Sequence, residues 1–183
     1  GDIVKIVVDK IIEYDASNLV VDPVMVATSG DLLLEEEAVV VYKEKLIPLA
    51  RLITPNLDEA KVLTDREVSE QVSPEILVRE LSELGSDYVL LKGGHKSGSK
   101  EEVVDLLYDG REIKQYRGKY IDTPHTHGTG CTLSSAIASN LAEGLDMERA
   151  IGIAKEYITK AIFSGCSIGG GSNPVDHLVV CKQ

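Results

Sequence analysis

The chain has 183 residues, enough for one substantial domain with its own hydrophobic core. Its 43% hydrophobic and 27% charged residues are typical of a soluble globular protein, and its apolar runs are all shorter than a membrane span. The formal net charge of −11 disfavours nucleic acid and anionic membranes as partners, because both need phosphate neutralisation by Lys and Arg. A small phosphorylated ligand needs only a local positive site and is not excluded.

Helix-like and strand-like patterns alternate along the chain. The pattern predicts helices over residues 3–14, 35–47, 57–63, 74–84, 129–142 and 147–163. Short strands are expected at 19–22, 52–54, 88–92, 103–108 and 112–116, with a further one at 178–181. Asp109-Gly110 indicates a hairpin turn, and Ser73 is a candidate N-cap for the fourth helix. The chain has no internal repeat or low-complexity linker, so a single domain over residues 1–183 is expected.

Such alternation implies an α/β fold with a mostly parallel central sheet covered by helices on both faces. Ligands of these sheets bind beyond the carboxyl ends of the strands. Polar or glycine-rich segments follow four of the predicted elements, at residues 22–25, 55–59, 92–95 and 128–131. These segments are therefore expected to line one rim of the sheet.

The turn Gly128-Thr129-Gly130 opens a helix, and Cys131 lies in its first turn. Free backbone N–H groups and the positive end of the helix dipole make such a turn a site for a phosphoryl oxygen. The same field favours the thiolate form of Cys131. The alternative is a plain glycine turn before a helix with a buried cysteine.

Four blocks in order carry a family resemblance: VVDPVMVATSG at 20–30, TPNLDEA at 54–60, LLKGGH at 90–95 and HGTGCTLSSAIA at 127–138. They resemble the hydroxymethylpyrimidine and phosphomethylpyrimidine kinases of thiamine biosynthesis, in the ribokinase-like superfamily. The resemblance implies a three-layer α/β/α fold. It also implies ATP-dependent phosphorylation of 4-amino-5-hydroxymethyl-2-methylpyrimidine, and then of its monophosphate to the diphosphate.

Catalytic roles follow from the resemblance residue by residue. Most ribokinase-like enzymes have an Asp base where this chain has Cys131, and the pyrimidine kinases typically have Cys there. A Cys131 thiolate would accept the proton of the attacking oxygen. The amides of Gly128, Thr129 and Gly130 would hold the transferred phosphoryl group. Cys166 and Cys181 are expected to be structural.

Cofactor roles are carried over in the same way. Asn56 and Glu59 resemble an element that acts near Mg²⁺ and the nucleotide phosphates, with Glu59 contacting the metal indirectly. The alternative is a helix cap with a solvated Glu59. Lys92 would approach the phosphates of ATP, or else be a surface lysine. Gly169 and Pro174 lie in the loop that resembles the adenine region of the family.

On the substrate side, Asp22 and Val24 lie where the family approaches the pyrimidine. His125 and His127 either line the phosphate entrance or are exposed loop residues. With His95 they form no convincing zinc set. Three widely spaced cysteines without a Cys-x-x-Cys pair, and no signal segment, lead us to expect a reducing cytoplasm.

Family members begin with a strand and a glycine-rich loop that have no counterpart here, so the N-terminal strands of the fold are missing and we expect a longer natural protein. Three functions remain open, with the pyrimidine kinase ranked first. The second is a pyridoxal or hydroxyethylthiazole kinase of the same fold. The third is a truncated nucleotide-binding module without turnover. The expected partner is a small-molecule substrate, and analogy with the family allows a homodimer.

Overall fold

The computed structural model describes residues 2–25, 35–93, 102–168, 170 and 173–179. They divide into two compact units, Gly1–Gly98 with Val104–Tyr116, and Ser99–Val103 with Arg117–Gln183. The expectation of a single domain stays a prediction. In the described part of the chain, none of the helices combines the length and apolarity needed to cross a membrane.

Among the residues that the structure describes, a five-stranded sheet confirms the α/β class. Its strands, in spatial order, are β1 (Val20–Val21), β2 (Leu52–Ile53), β3 (Tyr88–Leu91), β4 (Glu102–Tyr108) and β5 (Ile113–Lys119). β1 pairs with β2, and β2 with β3, in parallel, whereas β3 and β4 are antiparallel. The sheet is therefore mixed, with its parallel part in the first three strands.

The turn between β4 and β5 is the one predicted at Asp109-Gly110. The Asp109 carboxylate accepts hydrogen bonds from the backbone N–H groups of Arg111 and Glu112, both at 2.8 Å. Gly110 has a φ of +87°, a left-handed conformation that side chains disfavour. These local interactions explain why a short sequence signal was sufficient to locate the turn.

In its described residues, the first unit contains four α-helices close to their predicted places: α1 (Asp2–Glu13), α2 (Glu36–Val41), α3 (Leu57–Leu63) and α4 (Pro74–Ser82). The helix predicted over 35–47 is not uniform. After α2 the backbone continues as a π-helical segment, Tyr42–Leu46, and a 3₁₀ turn, Ile47–Leu49. Pro48 explains this change, because it lacks the amide hydrogen that an α-helix would need there.

The core of the first unit is almost entirely aliphatic, in a chain with one Phe and no Trp. Fully buried side chains include Met25, Ile47, Leu52, Ile53, Leu63, Leu77, Leu81, Leu90 and Leu91. Central strands β2 and β3 contribute residues on both of their faces, which is typical of strands covered on two sides. This packing holds the strand ends in place.

In the second unit, α5 (Thr129–Ala142) packs against α6 (Met147–Phe163), and both have their predicted bounds. Gly144, with a φ of +86°, follows α5, and the Asp146 side chain caps α6 by accepting from the N–H of Arg149 at 2.9 Å. Of the strand predicted at 178–181, Leu178 and Val179 lie in a turn instead, where Asp176 accepts the Leu178 N–H. The other two residues lie outside the described part.

Candidate functional site

Three polar side chains meet at the carboxyl edge of the first unit's parallel strands. Asp22 follows β1, Thr54 follows β2 and Lys92 follows β3. The Lys92 ammonium and the Thr54 hydroxyl both donate to Asp22 Oδ1, each at 2.8 Å. This edge is where a parallel sheet binds its ligands. The structure thus brings together Asp22 and Lys92, which were predicted separately.

The Asp22–Lys92 pair is shielded from water but is not sealed. The two side chains are 13% and 16% exposed. The Lys92 backbone N–H donates to the carbonyl of Pro55 at 2.8 Å, which anchors the lysine beside the next strand end. Lys92 is therefore not a loose surface lysine. Its charge is held in place and partly neutralised by one carboxylate, since buried charges need such pairing.

Asn56 and Glu59 form a capping box at the start of α3. Asn56 Oδ1 accepts from the N–H groups of Asp58 and Glu59 at 2.9 Å, and Glu59 Oε2 accepts from the Asn56 N–H at 2.8 Å. The helix-cap alternative is right about the cap. However, Glu59 is only 4% exposed, so this alternative is wrong about a solvated glutamate. A cap alone does not require that the carboxylate be buried.

Burial raises the pKa of Glu59 above its ordinary value, and the neighbouring Asp22 raises it further. The Asn56 N–H, the Lys92 ammonium and the Met25 N–H lower the pKa in part. The net direction is upward because the loss of hydration outweighs these favourable contacts. A raised carboxyl pKa next to a lysine and a second carboxylate is characteristic of functional sites.

Tyr42, at the start of the π-helical segment, also reaches this cluster. Its hydroxyl donates to the backbone carbonyl of Asp22 at 3.3 Å. Burial, Asp22 and Glu59 raise the pKa of Tyr42, so the hydroxyl keeps its proton and remains a donor. No sequence motif singled out Tyr42, because its direction depends on the local winding of the helix. Thr54 could have been found as the first residue of the TPNLDEA block.

Val24 and Gly93 extend the same edge. Val24, predicted to face the substrate, is 51% exposed two residues after Asp22. Gly93 must lack a side chain, because a Cβ there would lie 1.9 Å from the carbonyl oxygen of Val104. The Gly93 N–H donates to the buried Asp105 at 2.9 Å. His95 lies outside the described residues.

In the second unit, Gly128 forms the turn predicted before α5. Its φ is +82°, and the N–H of Thr132 returns to its carbonyl at 2.9 Å. The Thr129 N–H donates to Thr126, whereas the next amides of the first turn, those of Gly130 and Cys131, have no partner within an α-helix by its geometry. The Cys131 thiol is free and exposed. The alternative of a plain turn with a buried cysteine is therefore wrong about the cysteine.

The loop after α6 runs alongside this turn. The His127 N–H donates to the carbonyl of Asn173 at 3.1 Å, and the Val175 N–H donates to the carbonyl of His127 at 3.4 Å. Pro174 consequently lies beside His127, and His127 is the residue that directly precedes Gly128. The structure brings Pro174 and the turn together, while Gly169 lies outside the described residues.

A cavity of about 570 Å³ also lies in the second unit. It is lined by Lys119, Tyr120, Ile121, Asp122, Thr159, Lys160, Phe163, Ser164 and Val179. Its volume and mainly apolar walls suit a small flat ligand. Sequence reasoning missed it because its walls come from three separate segments of the chain. Within the described residues, no three His, Cys, Asp or Glu side chains are grouped to hold a metal.

The chain matches a family of known proteins. The model of the family described as phosphomethylpyrimidine kinase matches residues 1–176. A thiamine biosynthesis bifunctional protein of Geobacter sulfurreducens is 44% identical over 95% of the chain and 35% of its own length. A hydroxymethylpyrimidine/phosphomethylpyrimidine kinase of Bacillus subtilis is 38% identical over 97% of the chain and 65% of its own length.

Among solved structures, the Bacillus subtilis pyridoxal kinase in complex with ADP superposes with a TM-score of 0.88 at 35% identity. The match covers all of this chain and 67% of that one. The chain thus spans about a third of the bifunctional relative and just under two thirds of the pyrimidine kinase.

Proposed function

Since the chain belongs to the phosphomethylpyrimidine kinase family, we propose that it carries the phosphoryl-transfer machinery of such a kinase. Its reaction moves the γ-phosphoryl group of ATP to 4-amino-5-hydroxymethyl-2-methylpyrimidine, and then to the monophosphate. The observation that carries the proposal is the exposed Cys131 thiol in the first turn of α5, next to helix amides without an internal partner.

In the proposed reaction, Cys131 is the general base. Its thiolate takes the proton of the substrate hydroxyl, or of the phosphate in the second step, as that oxygen attacks the γ-phosphorus. The bond between the γ-phosphorus and the bridging oxygen breaks, and ADP leaves with that bond's electrons. The amides of Gly128 and Gly130 and the dipole of α5 stabilise the charge on the transferred group. The Thr129 amide, which otherwise donates to the Thr126 carbonyl at 3.3 Å, would exchange that bond for one to a phosphoryl oxygen.

The cavity of the second unit is the proposed binding site for the adenine of ATP. Tyr120, Ile121, Phe163 and Val179 offer flat or aliphatic surfaces, and Thr159 offers a hydroxyl. Such a lining favours an uncharged aromatic base, with few polar groups to orient it. We assign Pro174 to the wall between this nucleotide region and the turn, because it lies beside His127.

In the first unit, Lys92 is proposed to meet the phosphates of ATP, and Asp22 with Val24 the substrate. Glu59 is proposed to hold Mg²⁺ indirectly, through water, because its buried carboxylate lies beside Asp22 and Lys92 and its Oε2 accepts the Asn56 N–H. Mg²⁺ usually keeps several waters and binds through one or two carboxylates plus substrate phosphates. When bound, it would neutralise charge on the phosphates.

A second candidate is a pyridoxal kinase, favoured by the likeness to the Bacillus subtilis pyridoxal kinase. ADP release is measured with Mg-ATP and, in parallel, the pyrimidine, its monophosphate and pyridoxal. Turnover highest on the pyrimidine phosphate supports the first function, and turnover highest on pyridoxal supports the second. ATP binding without ADP release above background would overturn both and leave a non-catalytic nucleotide-binding module.

ADP release measured without Mg²⁺ tests whether the reaction needs the metal. Sedimentation of the protein tests whether the chain forms the proposed homodimer.

Replacing Cys131 with Ala should lower kcat by at least 100-fold and leave the affinity for ATP within about twofold, because a general base contributes roughly 10²–10⁴-fold. Cys166→Ala is the matched control, since that thiol is also free and exposed. Steady-state kinetics and calorimetric ATP titration measure the two effects. An unchanged kcat in Cys131→Ala would remove this residue from the mechanism.

A further inference from the structure

The side chain of His125 lies directly against Gly165, the second residue after α6. A Cβ built on Gly165 would be 2.4 Å from His125 Cβ and 2.7 Å from His125 Cγ. These are the atoms closest to the His125 backbone, so rotating the end of the ring would not relieve the overlap. The backbone of Gly165 lies outside the left-handed region. The close approach, and not the backbone conformation, is thus what requires glycine.

The segment 125–127 is also hydrogen-bonded to residues 173–175, which follow Gly165 in the chain. Asn173 and Val175 pair with the backbone of His127, and Asn173 Oδ1 accepts the N–H of Ile168 at 3.1 Å. Nδ1 of His125 is buried and, within the described part of the chain, has no hydrogen-bond partner. Packing therefore sets the place of the ring, and Gly165, Asn173 and Val175 contact the residues that lead into Gly128.

We infer that Gly165 is a positioning residue for phosphoryl transfer, acting through His125 on the turn from Gly128 to Cys131. The inference rests on the proposed function, because only that function gives the turn a phosphoryl group to hold. The added Cβ would lie 2.4 Å from His125 Cβ, about 1 Å closer than ordinary van der Waals contact between two carbon atoms. His125 precedes Gly128 by only three residues, so its displacement shifts the turn. A misplacement of that size costs catalysis up to about 100-fold.

The test compares Gly165→Ala with Gly152→Ala in α6. A Cβ on Gly152, inside α6, would meet open space, and Gly152 has no left-handed backbone, so the control adds the same methyl group without a contact. Gly165→Ala should lower kcat/KM for the pyrimidine phosphate by 10-fold to 100-fold, and mainly through kcat. Gly152→Ala should stay within twofold. Equal activity of the two variants, at matched folded fractions, would overturn the inference.

A second variant separates positioning from a general loss of stability. In a His125→Gly background the atoms that meet the new methyl group are gone, so adding Gly165→Ala should change kcat/KM by less than threefold. This rescue is specific to the contact. If Gly165→Ala is as harmful in that background as in the parent chain, the contact with His125 is not the cause and the inference is wrong.

A readout that does not depend on kinase activity distinguishes the two proposals. The alkylation rate of Cys131 by iodoacetamide, resolved by peptide mass spectrometry, reports the environment of the first turn of α5 in the full chain. Gly165→Ala should change that rate at least threefold, and Gly152→Ala should not. A parent chain without turnover refutes the proposed function alone, whereas an unchanged alkylation rate in Gly165→Ala refutes the positioning role.

Discussion

Asp22, Glu59 and Lys92 place two carboxylates and one ammonium group at a single strand edge. Asp22 is bonded to Lys92 and Thr54, while Glu59 is engaged by backbone amides. The two carboxylates thus have different environments, one paired with a charge and one buried with a raised pKa. This difference suits separate tasks, since environments rather than residue types set how a carboxylate behaves.

The raised pKa of Glu59 predicts a pH dependence of stability. The folded chain then binds the proton of Glu59 more tightly than the unfolded chain does, so this residue stabilises the fold at low pH. That stability is lost as the pH rises from the unfolded pKa through the raised folded pKa. Replacing Glu59 with Gln, which retains an oxygen acceptor for the Asn56 N–H, should remove this loss.

Urea denaturation of the parent and Glu59→Gln chains from pH 4 to pH 8 measures the effect. We expect the free energy of unfolding of the variant, relative to that of the parent, to increase with pH across this window. The other carboxylates contribute equally to both chains, so their effects cancel in this difference. Glu83→Gln, on an exposed carboxylate at the end of α4, is the control and should show no trend. A relative stability that falls with pH would contradict the burial argument.

At the scale of elements, the capping box of α3 contributes both to the stability of this helix and to the site, because Glu59 belongs to both. Helix α3 has only seven residues, too few to be stable alone, so its start depends on the Asn56 side chain and on packing of Ala60 and Leu63. Replacing Asn56 with Ala should destabilise the chain by about 1 kcal/mol, the usual cost of losing such a cap. Asn56→Ser keeps a capping oxygen and should cost less than half as much.

Denaturant midpoints of the two Asn56 variants at one pH give this comparison. Because Glu59 belongs to the same capping box, Asn56→Ala should also lower activity more than Asn56→Ser does. Equal loss of stability in both variants would mean that the amide group of Asn56 serves something other than the cap.

For the whole molecule, the net charge of −11 contrasts with two local positive features, Lys92 and the amino end of α5. Under the proposed function, each of these features attracts a phosphate even though the overall field repels anions, because contacts at short range outweigh screened charges at long range. ATP at 100 times its Kd should then stabilise the fold by about 2.7 kcal/mol, and so raise the Tm by roughly 5–10 °C in a chain of this size.

Phe163 provides a test of where the adenine of ATP binds. It is 79% exposed and lines the cavity, so Phe163→Ala should leave the Tm of the free protein within about 2 °C and reduce the shift with ATP by at least half. Leu178→Ala, at a residue 63% exposed that does not line the cavity, is the control. Thermal denaturation with and without ATP measures both. A full shift in Phe163→Ala would place the adenine elsewhere.

Local interactions explain what the sequence by itself determined. The bounds of α3, α5 and α6 and the turn at Asp109-Gly110 follow from caps, glycines and periodicity within a few residues of each position. The family and the motif residues Asp22, Asn56, Lys92 and Cys131 were also readable, because they lie in short blocks that follow strands or open a helix.

Only the tertiary structure decided which side chains meet. The Asp22–Lys92 pair joins residues 70 positions apart, the burial of Glu59 depends on packing around it, and the direction of Tyr42 depends on a π-helical segment. The cavity and the contact of Gly165 with His125 likewise arise from distant segments. A sequence pattern records spacing along the chain, whereas these features depend on distances through space, which folding alone sets.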